Sequence, residues 1–277
     1  MASYESMWEQ GEPGVPADLR PDVPHPARMY DYYLGGKDNF PADREAAERA
    51  LAANPEFRST ARANRAFLTR AVRCVAGLGV HQFLDIGTGI PTAGNTHEIA
   101  QAVDPGARVL YVDNDPIVLA HARALMGGGS LGQTTVIQAD LRRPVDLLAD
   151  AEDQKLLDLS RPTALVLAAV LHFVRDEEGP HEVVRTLLDA LAPGSHLILS
   201  HGTADFLPAE VRDRVTGVYS KATAPLVGRT REQVRGFLDG LEVLDPGVVT
   251  VPLWRPDGAL PAGADRVSMY GAVARKP

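Results

Sequence analysis

The sequence predicts a doubly wound α/β fold with a seven-stranded, mostly parallel sheet and an N-terminal helical arm. Two observations support this prediction. Short β-rich runs alternate with helical stretches from residue 81 onward, and three successive runs lead into an aspartate near the same edge of the predicted sheet. Such alternation is typical of βαβ units, in which crossover helices cover a parallel sheet.

The region before the sheet is predicted to be an arm followed by helices. Residues 11 to 26 contain five prolines, which predict a loose arm because each ring fixes φ and removes an amide donor. Apolar spacing predicts helices over 41–54 and 55–78, with a boundary at the Asn54-Pro55 step. We expect residues 1–79 to form arm and lid helices that pack on a main domain of residues 80–277.

Seven β-rich runs follow this region. Five are predicted parallel strands and two close the chain: 81–86, 108–113, 134–139, 163–170, 196–200, 248–254 and 267–274. An insertion at 202–229 separates the fifth and sixth runs. The box Thr230-x-x-Gln233 then predicts the start of a further helix.

Composition and charge exclude several classes of protein. The chain has 277 residues, of which 45% are hydrophobic and 23% are charged, as expected for a globular domain. It shows no signal-like N-terminus and no apolar run of about 18 residues, and its single cysteine is Cys74; we expect a cytoplasmic protein without membrane contact. The net charge of -8 disfavours nucleic acid, and Arg58, Arg62 and Arg65, which share a helix face, are expected to be solvated.

A possible ligand site is indicated at the carboxyl ends of the first three strands. Gly87 and Gly89 would let a ligand approach the backbone, although many α/β loops contain such a pair without binding anything. Asp113 can accept both hydroxyls of a ribose, or it can cap the next helix. Because ligands of doubly wound sheets bind at the carboxyl edge, Asp85, Asp113 and Asp140 should converge there.

The order of four segments adds a resemblance. DIGTG, VDNDP, QADL and ALVLAAVLHFV, between residues 85 and 174, resemble the first four motifs of class I S-adenosylmethionine-dependent methyltransferases. Segments 28–44, 63–68 and 89–95 resemble an actinobacterial S-adenosyl methyltransferase family, first catalogued as a domain of unknown function. This resemblance covers nearly the whole chain. It implies the Rossmann-like class I methyltransferase fold and S-adenosylmethionine as cofactor, but it implies no acceptor.

The resemblance also implies a set of cofactor-binding residues. By this resemblance Gly87 and Gly89 flank the methionine moiety, Asp113 holds the ribose, and Asp140 with the Leu141 amide contacts the adenine edge. The expected site comprises Asp85, Gly87, Thr88, Gly89, Asp113, Asn114, Asp140, Leu141 and Ala168. The usual third glycine of the loop is Pro91 here, so one amide that could contact the ligand is missing.

Three further residues are candidates because of their position. Tyr32 can cover the cofactor if residues 28–44 close over it as a mobile lid, or it can simply pack in a tyrosine cluster. His172 follows the fourth strand and can serve as a general base for an oxygen or nitrogen acceptor, or it can pack at the strand end. His201, after the fifth strand, carries the same two interpretations.

Two other functions remain open from the sequence. A nicotinamide-dependent oxidoreductase shares this fold, but a dinucleotide loop needs a third glycine where this chain has Thr92. A non-catalytic module that binds the cofactor is also possible, because methyl transfer needs only correct positioning of donor and acceptor. We expect a small-molecule acceptor, and no metal because no ligand set has metal-binding spacing. The sequence does not indicate an oligomeric state.

Overall fold

The fold was analysed in a computed structural model, which describes residues 20–92, 94–126 and 133–277. Most of the predicted proline-rich arm therefore lies outside the described residues, as does the extreme N-terminus. The segment from Arg20 to His25 contains a turn and leads directly into the first helix, in which Pro26 occupies the first position. Proline is favoured there because the amide it lacks would have no partner inside the helix.

A mixed sheet of eight strands forms the centre of the described part of the chain. The strands are β1 (Gln82–Ile86), β2 (Arg108–Asp113), β3 (Thr134–Gln138), β4 (Ala164–Ala168), β5 (His196–Gly202), β6 (Glu242–Val243), β7 (Val249–Thr250) and β8 (Met269–Arg275). Their order is β3-β2-β1-β4-β5-β8-β6, with β7 also paired to β8. Strands β1 to β5 are parallel, whereas β8 runs antiparallel to β5, β6 and β7.

Helices cover both faces of this sheet. They are α1 (Pro26–Leu34), α2 (Pro41–Ala53), α3 (Phe57–Gly77), α4 (Thr96–Val103), α5 (Pro116–Met126), α6 (Pro144–Asp153), α7 (Pro180–Asp189), α8 (Ala209–Tyr219) and α9 (Arg231–Gly236). Alternate strand residues point to opposite faces. Leu84 and Ile86 therefore pack against α6, α7 and α9, while Phe83 packs on the opposite side against α3, α4 and α5.

A smaller apolar cluster lies outside the sheet. It is formed by α1, α2 and the start of α3 together with α8, and it includes Met29, Tyr33 and Tyr219. Helix α8 belongs to the insertion predicted at 202–229. The N-terminal helices thus contact the insertion as well as the sheet, and these two parts of the chain enclose space above the carboxyl ends of the strands.

The predicted fold class is confirmed, with differences near the C-terminus. The sixth predicted strand, 248–254, is wrong beyond Thr250 because the chain enters a short 3-10 helix at Val251–Leu253, which includes Pro252. Strand β6 is missing from the prediction, since two residues are too short to show an alternating pattern. The capping box at Thr230 is confirmed: its hydroxyl accepts the Gln233 amide at the start of α9.

Within the described ranges, no helix has the length and apolar character needed to cross a membrane. The same residues contain no group of three His, Cys, Asp or Glu side chains arranged to hold a metal ion.

Candidate functional site

A cavity of about 180 Å³ lies at the carboxyl edge of β1 to β4, beneath α1 and α3. Nine of the ten residues predicted to bind the cofactor line it, and Tyr32 is the exception. The nine are Asp85, Gly87, Thr88, Gly89, Asp113, Asn114, Asp140, Leu141 and Ala168. The parallel order β3-β2-β1-β4 brings these strand ends side by side, as expected for a doubly wound sheet. We call this space the first cavity.

The loop after β1 approaches the cavity with its backbone. Gly87 and Gly89 have φ values of +74° and +66°, in the left-handed region that glycine enters without steric cost. A Cβ atom added to Gly87 would lie 2.3 Å from the Val170 side chain. Glycine is therefore required at position 87 by both conformation and space, which explains the Gly-x-Gly pattern without reference to a ligand.

Asp113 holds this loop in place while it lines the first cavity. Its two carboxylate oxygens accept the Gly89 amide at 2.8 Å and the Asp115 amide at 3.0 Å. Burial raises the pKa of Asp113 to about 6, although these amide hydrogen bonds favour the charged form. Asp115 caps the next helix, since its carboxylate accepts the Ile117 amide in the first turn of α5.

Two other carboxylates differ sharply in their surroundings. Asp85 is buried and accepts a hydrogen bond from the Thr96 hydroxyl at 2.6 Å, and burial raises its pKa to about 6. Asp140 is half-buried and pairs with the Arg142 guanidinium at 2.6 Å. Burial alone would raise the pKa of Asp140, but hydrogen bonds from Arg142 outweigh it and leave the pKa below its usual value. Asp140 is thus the more firmly ionised group.

Helix α1 presents Tyr30 to the first cavity in place of Tyr32. The Tyr30 hydroxyl donates to the Ala61 carbonyl and accepts from the Asn64 side chain, both at 3.0 Å. Tyr32 instead donates to Glu48 and stacks under the Arg58 guanidinium, on a different side of the helix. Successive helical residues are turned by about 100°, so a shift of two positions moves a side chain to nearly the opposite face. The predicted position of Tyr32 is therefore wrong: Tyr32 does not line the first cavity, and Tyr30 of the same helix does.

The predicted lid packs here as a wall of the cavity. Arg28 in α1 is almost fully buried and lies 3.4 Å from the carboxylate of Asp43 in α2 and 3.7 Å from that of Asp115. His25, which caps α1, lies 3.3 Å from the same oxygen of Asp115. Burial lowers the pKa of His25 to about 4, despite the opposing effect of Asp115. The contacts of Arg28 with Asp43 and Asp115 join the N-terminal helices to the turn after β2.

Asn64 and Arg65 of α3 also line the first cavity, and neither was predicted to be a site residue. Arg65 donates to the Gly94 carbonyl at 2.6 Å, and its charge acts against the raised pKa of Asp85. The solvated face predicted for Arg58, Arg62 and Arg65 is correct for exposed Arg62 and for Arg58, whose side chain is 38% exposed, but not for Arg65, which lines the first cavity. Asn64 and Arg65 lie in segment 63–68, whose resemblance to the methyltransferase family was the one indication that they matter. Helical spacing alone does not predict that their side chains face the carboxyl edge of the sheet.

A second cavity, of about 90 Å³, adjoins the first. The two share Pro26, Tyr30, Ala169 and Phe173 as lining residues. The remaining walls of the second cavity come from α1, the start of α3, α8 and the segments after β4 and β5. Ala169 has a φ of +58°, a sparsely populated conformation for a residue with a Cβ atom, so the chain turns sharply where the cavities meet.

His172 lines this second cavity, and its tautomer argues against a general base. Its Nδ1 accepts the Gly202 amide at 3.0 Å, so the neutral ring carries its proton on Nε2. No described residue forms a hydrogen bond with Nε2. Burial, followed by the nearby His201 and Arg229, places the pKa of His172 well below its ordinary value. The ring is therefore a hydrogen-bond donor toward the cavity.

His201 is a structural residue, which corrects its predicted catalytic role. It is fully buried and lines neither cavity. Its Nδ1 contacts the Gly202 carbonyl at 2.7 Å, and its Nε2 accepts from the Arg229 guanidinium at 2.9 Å. Burial lowers the pKa of His201 to about 3, although the Gly202 carbonyl favours protonation. Both ring nitrogens are used inside the protein, so none is available to a substrate.

The chain is similar to known proteins over nearly its whole length. Residues 14–277 match the family model described as S-adenosyl methyltransferase. A crystal structure of a DUF574 family protein from Streptomyces avermitilis is 45% identical, with a TM-score of 0.88, and the match covers 94% of this chain and 100% of that one. A Thermobifida fusca structure named a "putative methyltransferase" is 37% identical, with a TM-score of 0.87 and coverage of 96% and 99%. No curated protein matches the chain. The chain belongs to the S-adenosyl methyltransferase family.

Proposed function

We propose that the protein transfers the methyl group of S-adenosylmethionine to a small-molecule acceptor, with the cofactor bound in the first cavity. The observation that carries this proposal is the convergence of the Gly87–Gly89 loop with Asp113 and Asp140 at one edge of the sheet. Family membership implies S-adenosylmethionine binding. A glycine loop beside strand-end carboxylates suits a nucleoside ligand, because the backbone permits close approach and a carboxylate can accept ribose hydroxyls.

The adenosine moiety is assigned to the ends of β2 and β3. Asp113 accepts the ribose hydroxyls with the lone pairs that its two backbone contacts leave available. Asp140 accepts from the adenine amino group while the Leu141 amide donates to the ring, and Asn114 borders the base. Arg142 keeps Asp140 ionised and oriented, which strengthens its role as a hydrogen-bond acceptor.

The methionine end is assigned to α3 and the end of β1. Tyr30 directs its proton to Ala61, so Asn64 must present its NH2 group to Tyr30, which leaves Oδ1 as the other end of the amide. That oxygen is buried and has no described partner. With Asp85 it can accept from an ammonium group, while the positive charge of Arg65 suits a carboxylate. A zwitterionic amino-acid moiety matches this arrangement of charges.

The adjoining second cavity favours an enzyme over a module that only binds the cofactor. A cofactor-binding module needs one site, whereas methyl transfer needs a place for the acceptor beside the sulfonium. Tyr30 and Phe173 line both cavities, so a ligand in the second cavity would lie next to one in the first. A cavity of this size supports a small molecule as acceptor.

Calorimetric titration of the purified protein tests the cofactor assignment. S-adenosylmethionine and S-adenosylhomocysteine should bind, and NAD should give no binding heat. Asp113→Ala should weaken binding by about 1–3 kcal/mol, because ribose hydroxyls lose their partner and the Gly89 amide is released.

Glu242→Ala is a matched control, since this exposed carboxylate pairs with Arg275 at a distant edge of the sheet. It should leave the affinity unchanged. Equal affinity of the parent and a folded Asp113→Ala variant would refute the ribose assignment, and tight NAD binding would refute the proposed function.

A further inference from the structure

The second cavity is suited to a particular chemical class of acceptor. We propose that it binds a phenol, which the protein methylates on oxygen. This inference rests on the proposed function, because it places the acceptor next to S-adenosylmethionine. It follows from three properties of the cavity: its position, its aromatic walls and its hydrogen-bonding groups.

The position of the second cavity suits transfer between two ligands. Tyr30, Ala169 and Phe173 border both cavities, at the end of β4 where the sulfonium would face away from the adenosine site. A methyl group that leaves the cofactor at this junction enters the second cavity directly. In-line displacement requires the attacking atom on the far side of the methyl carbon, so the acceptor atom must lie just beyond these residues.

The walls of the second cavity are aromatic and apolar. Tyr33 stacks on Phe57 with ring centroids 5.2 Å apart, and Tyr219 lies 6.3 Å from Phe57 and 6.1 Å from Phe173. The stacked and tilted rings, together with Met269 on another wall, form a surface for a flat aromatic guest. Offset and edge contacts between aromatic rings are favourable beyond their buried area.

Several polar groups of this cavity can donate hydrogen bonds to a ligand. The Nε2–H of His172 has no described partner, and Tyr33 and Tyr219 share one hydrogen bond at 3.0 Å, which leaves one hydroxyl proton for a ligand. Burial raises the pKa of Tyr219 to about 12, so its hydroxyl stays protonated. The Ser268 hydroxyl oxygen is buried without a described partner. Such a set stabilises negative charge on a bound oxygen.

The charges around the second cavity also favour an oxygen acceptor. Among the described residues that line it there is no carboxylate, and exposed Arg212 lies at its edge. A protonated amine would enter without a compensating charge, which is costly in an apolar site. A phenol that loses its proton meets donors and one positive charge instead. An oxygen acceptor is thus favoured over an amine.

The proposed reaction balances without another reactant. The phenol releases its proton to solvent, and the phenolate oxygen is held by the donors of the cavity. An oxygen lone pair forms a bond to the methyl carbon while the carbon–sulfur bond breaks, and that electron pair stays on sulfur. Phenolate and sulfonium become a neutral aryl methyl ether and neutral S-adenosylhomocysteine.

Binding can be tested apart from turnover with 4-nitrophenol, whose phenolate absorbs visible light. Added to the protein saturated with S-adenosylhomocysteine, it should bind mainly as the phenolate, so that its apparent pKa falls. His172→Phe should remove a donor and reduce the phenolate stabilisation about tenfold, whereas His172→Gln should retain part of it. The same shift in the parent and both variants would overturn the role of His172.

A second variant keeps the test independent of His172. Leu226→Trp fills the second cavity and lies outside the first, so it should abolish 4-nitrophenol binding while S-adenosylmethionine still binds. Leu260→Trp is the matched control, because Leu260 is exposed elsewhere on the surface. Unchanged 4-nitrophenol binding in folded Leu226→Trp would place the acceptor elsewhere.

Turnover completes the test. Formation of S-adenosylhomocysteine should be at least tenfold faster, in kcat/KM, with phenol or 4-nitrophenol than with aniline or cyclohexanol. If S-adenosylmethionine binds but neither phenol binds nor reacts, or the amine reacts faster, the acceptor assignment fails and the proposed function survives. If S-adenosylmethionine itself does not bind, the proposed function fails.

Discussion

Several residues of the first cavity serve the fold and face the ligand site at the same time. Asp113 fixes the glycine loop through the Gly89 amide while its carboxylate borders the space assigned to the ribose. Asn64 supports Tyr30 with one end of its amide, and the other end has no partner among the residues that the structure describes. A substitution at either position changes local structure as well as binding, so affinity must be measured together with stability.

Gly87 gives a clear test at the level of a single residue. Gly87→Ala should destabilise the protein by about 1–3 kcal/mol, because the added Cβ meets Val170 at 2.3 Å and the backbone has positive φ. Urea unfolding measures this directly. Gly77→Ala is the control: it lies at the end of α3 with open space around it, and it should stabilise the protein by up to about 1 kcal/mol. Equal stability of the parent and Gly87→Ala would contradict the close approach.

At the level of elements, α1 is the least predictable part of the site. The sequence suggested a mobile cover, but Arg28 is buried between carboxylates contributed by α2 and by the turn after β2. Tyr33 adds a contact to α8 through Tyr219. The helix therefore forms a wall shared by both cavities, and its position determines the shape of each.

The anchoring of α1 can be measured through Arg28. Arg28→Ala should cost about 3–5 kcal/mol, since it leaves Asp43 and Asp115 buried without their cation. It should also make residues 28–44 faster to cleave in limited proteolysis. In the parent, cleavage there should be slow both with and without cofactor.

Arg49→Ala, which breaks an exposed pair with Glu45, should change stability by less than about 0.5 kcal/mol. Strong protection of the parent only by cofactor would restore the mobile lid.

At the level of the whole molecule, the buried carboxylates of the first cavity influence how stability varies with pH. Asp85 has a folded-state pKa of about 6, above its ordinary value, so the folded protein holds this proton more tightly than the unfolded chain. The contribution of Asp85 to stability then falls as pH rises from about 4 to about 6 and stays reduced above that range. Asp113 acts in the same direction.

Asp85→Asn removes this penalty and keeps an acceptor for Thr96. The variant should gain stability relative to the parent as pH rises from 4 to 7, by at most about 3 kcal/mol. Asp104→Asn is the control: hydrogen bonding, first from His81, lowers the pKa of Asp104, so its effect on stability changes only below about pH 4 and should differ little between pH 4.5 and pH 7. Urea unfolding at pH 4.5 and pH 7 separates the two. A pH-independent difference between the parent and Asp85→Asn would contradict a raised pKa.

The sequence alone determined the parallel part of the sheet, its carboxyl edge and the aspartates of the first cavity that lie there. Hydrophobic alternation identifies strands, and parallel strands must bring residues such as Asp85, Asp113 and Asp140 to one edge. Those inferences need only local periodicity and the rules of strand connection.

Tertiary structure alone decided the remaining features. Whether Tyr30 or Tyr32 faces the first cavity depends on how α1 is rotated when it docks, which the N-terminal sequence does not specify. The tautomer of His172 depends on the amide of Gly202, 30 residues away. The second cavity forms where α1 and α8 meet, distant in sequence. Contacts between remote segments are set by packing of the whole chain, so no local pattern in the sequence records them.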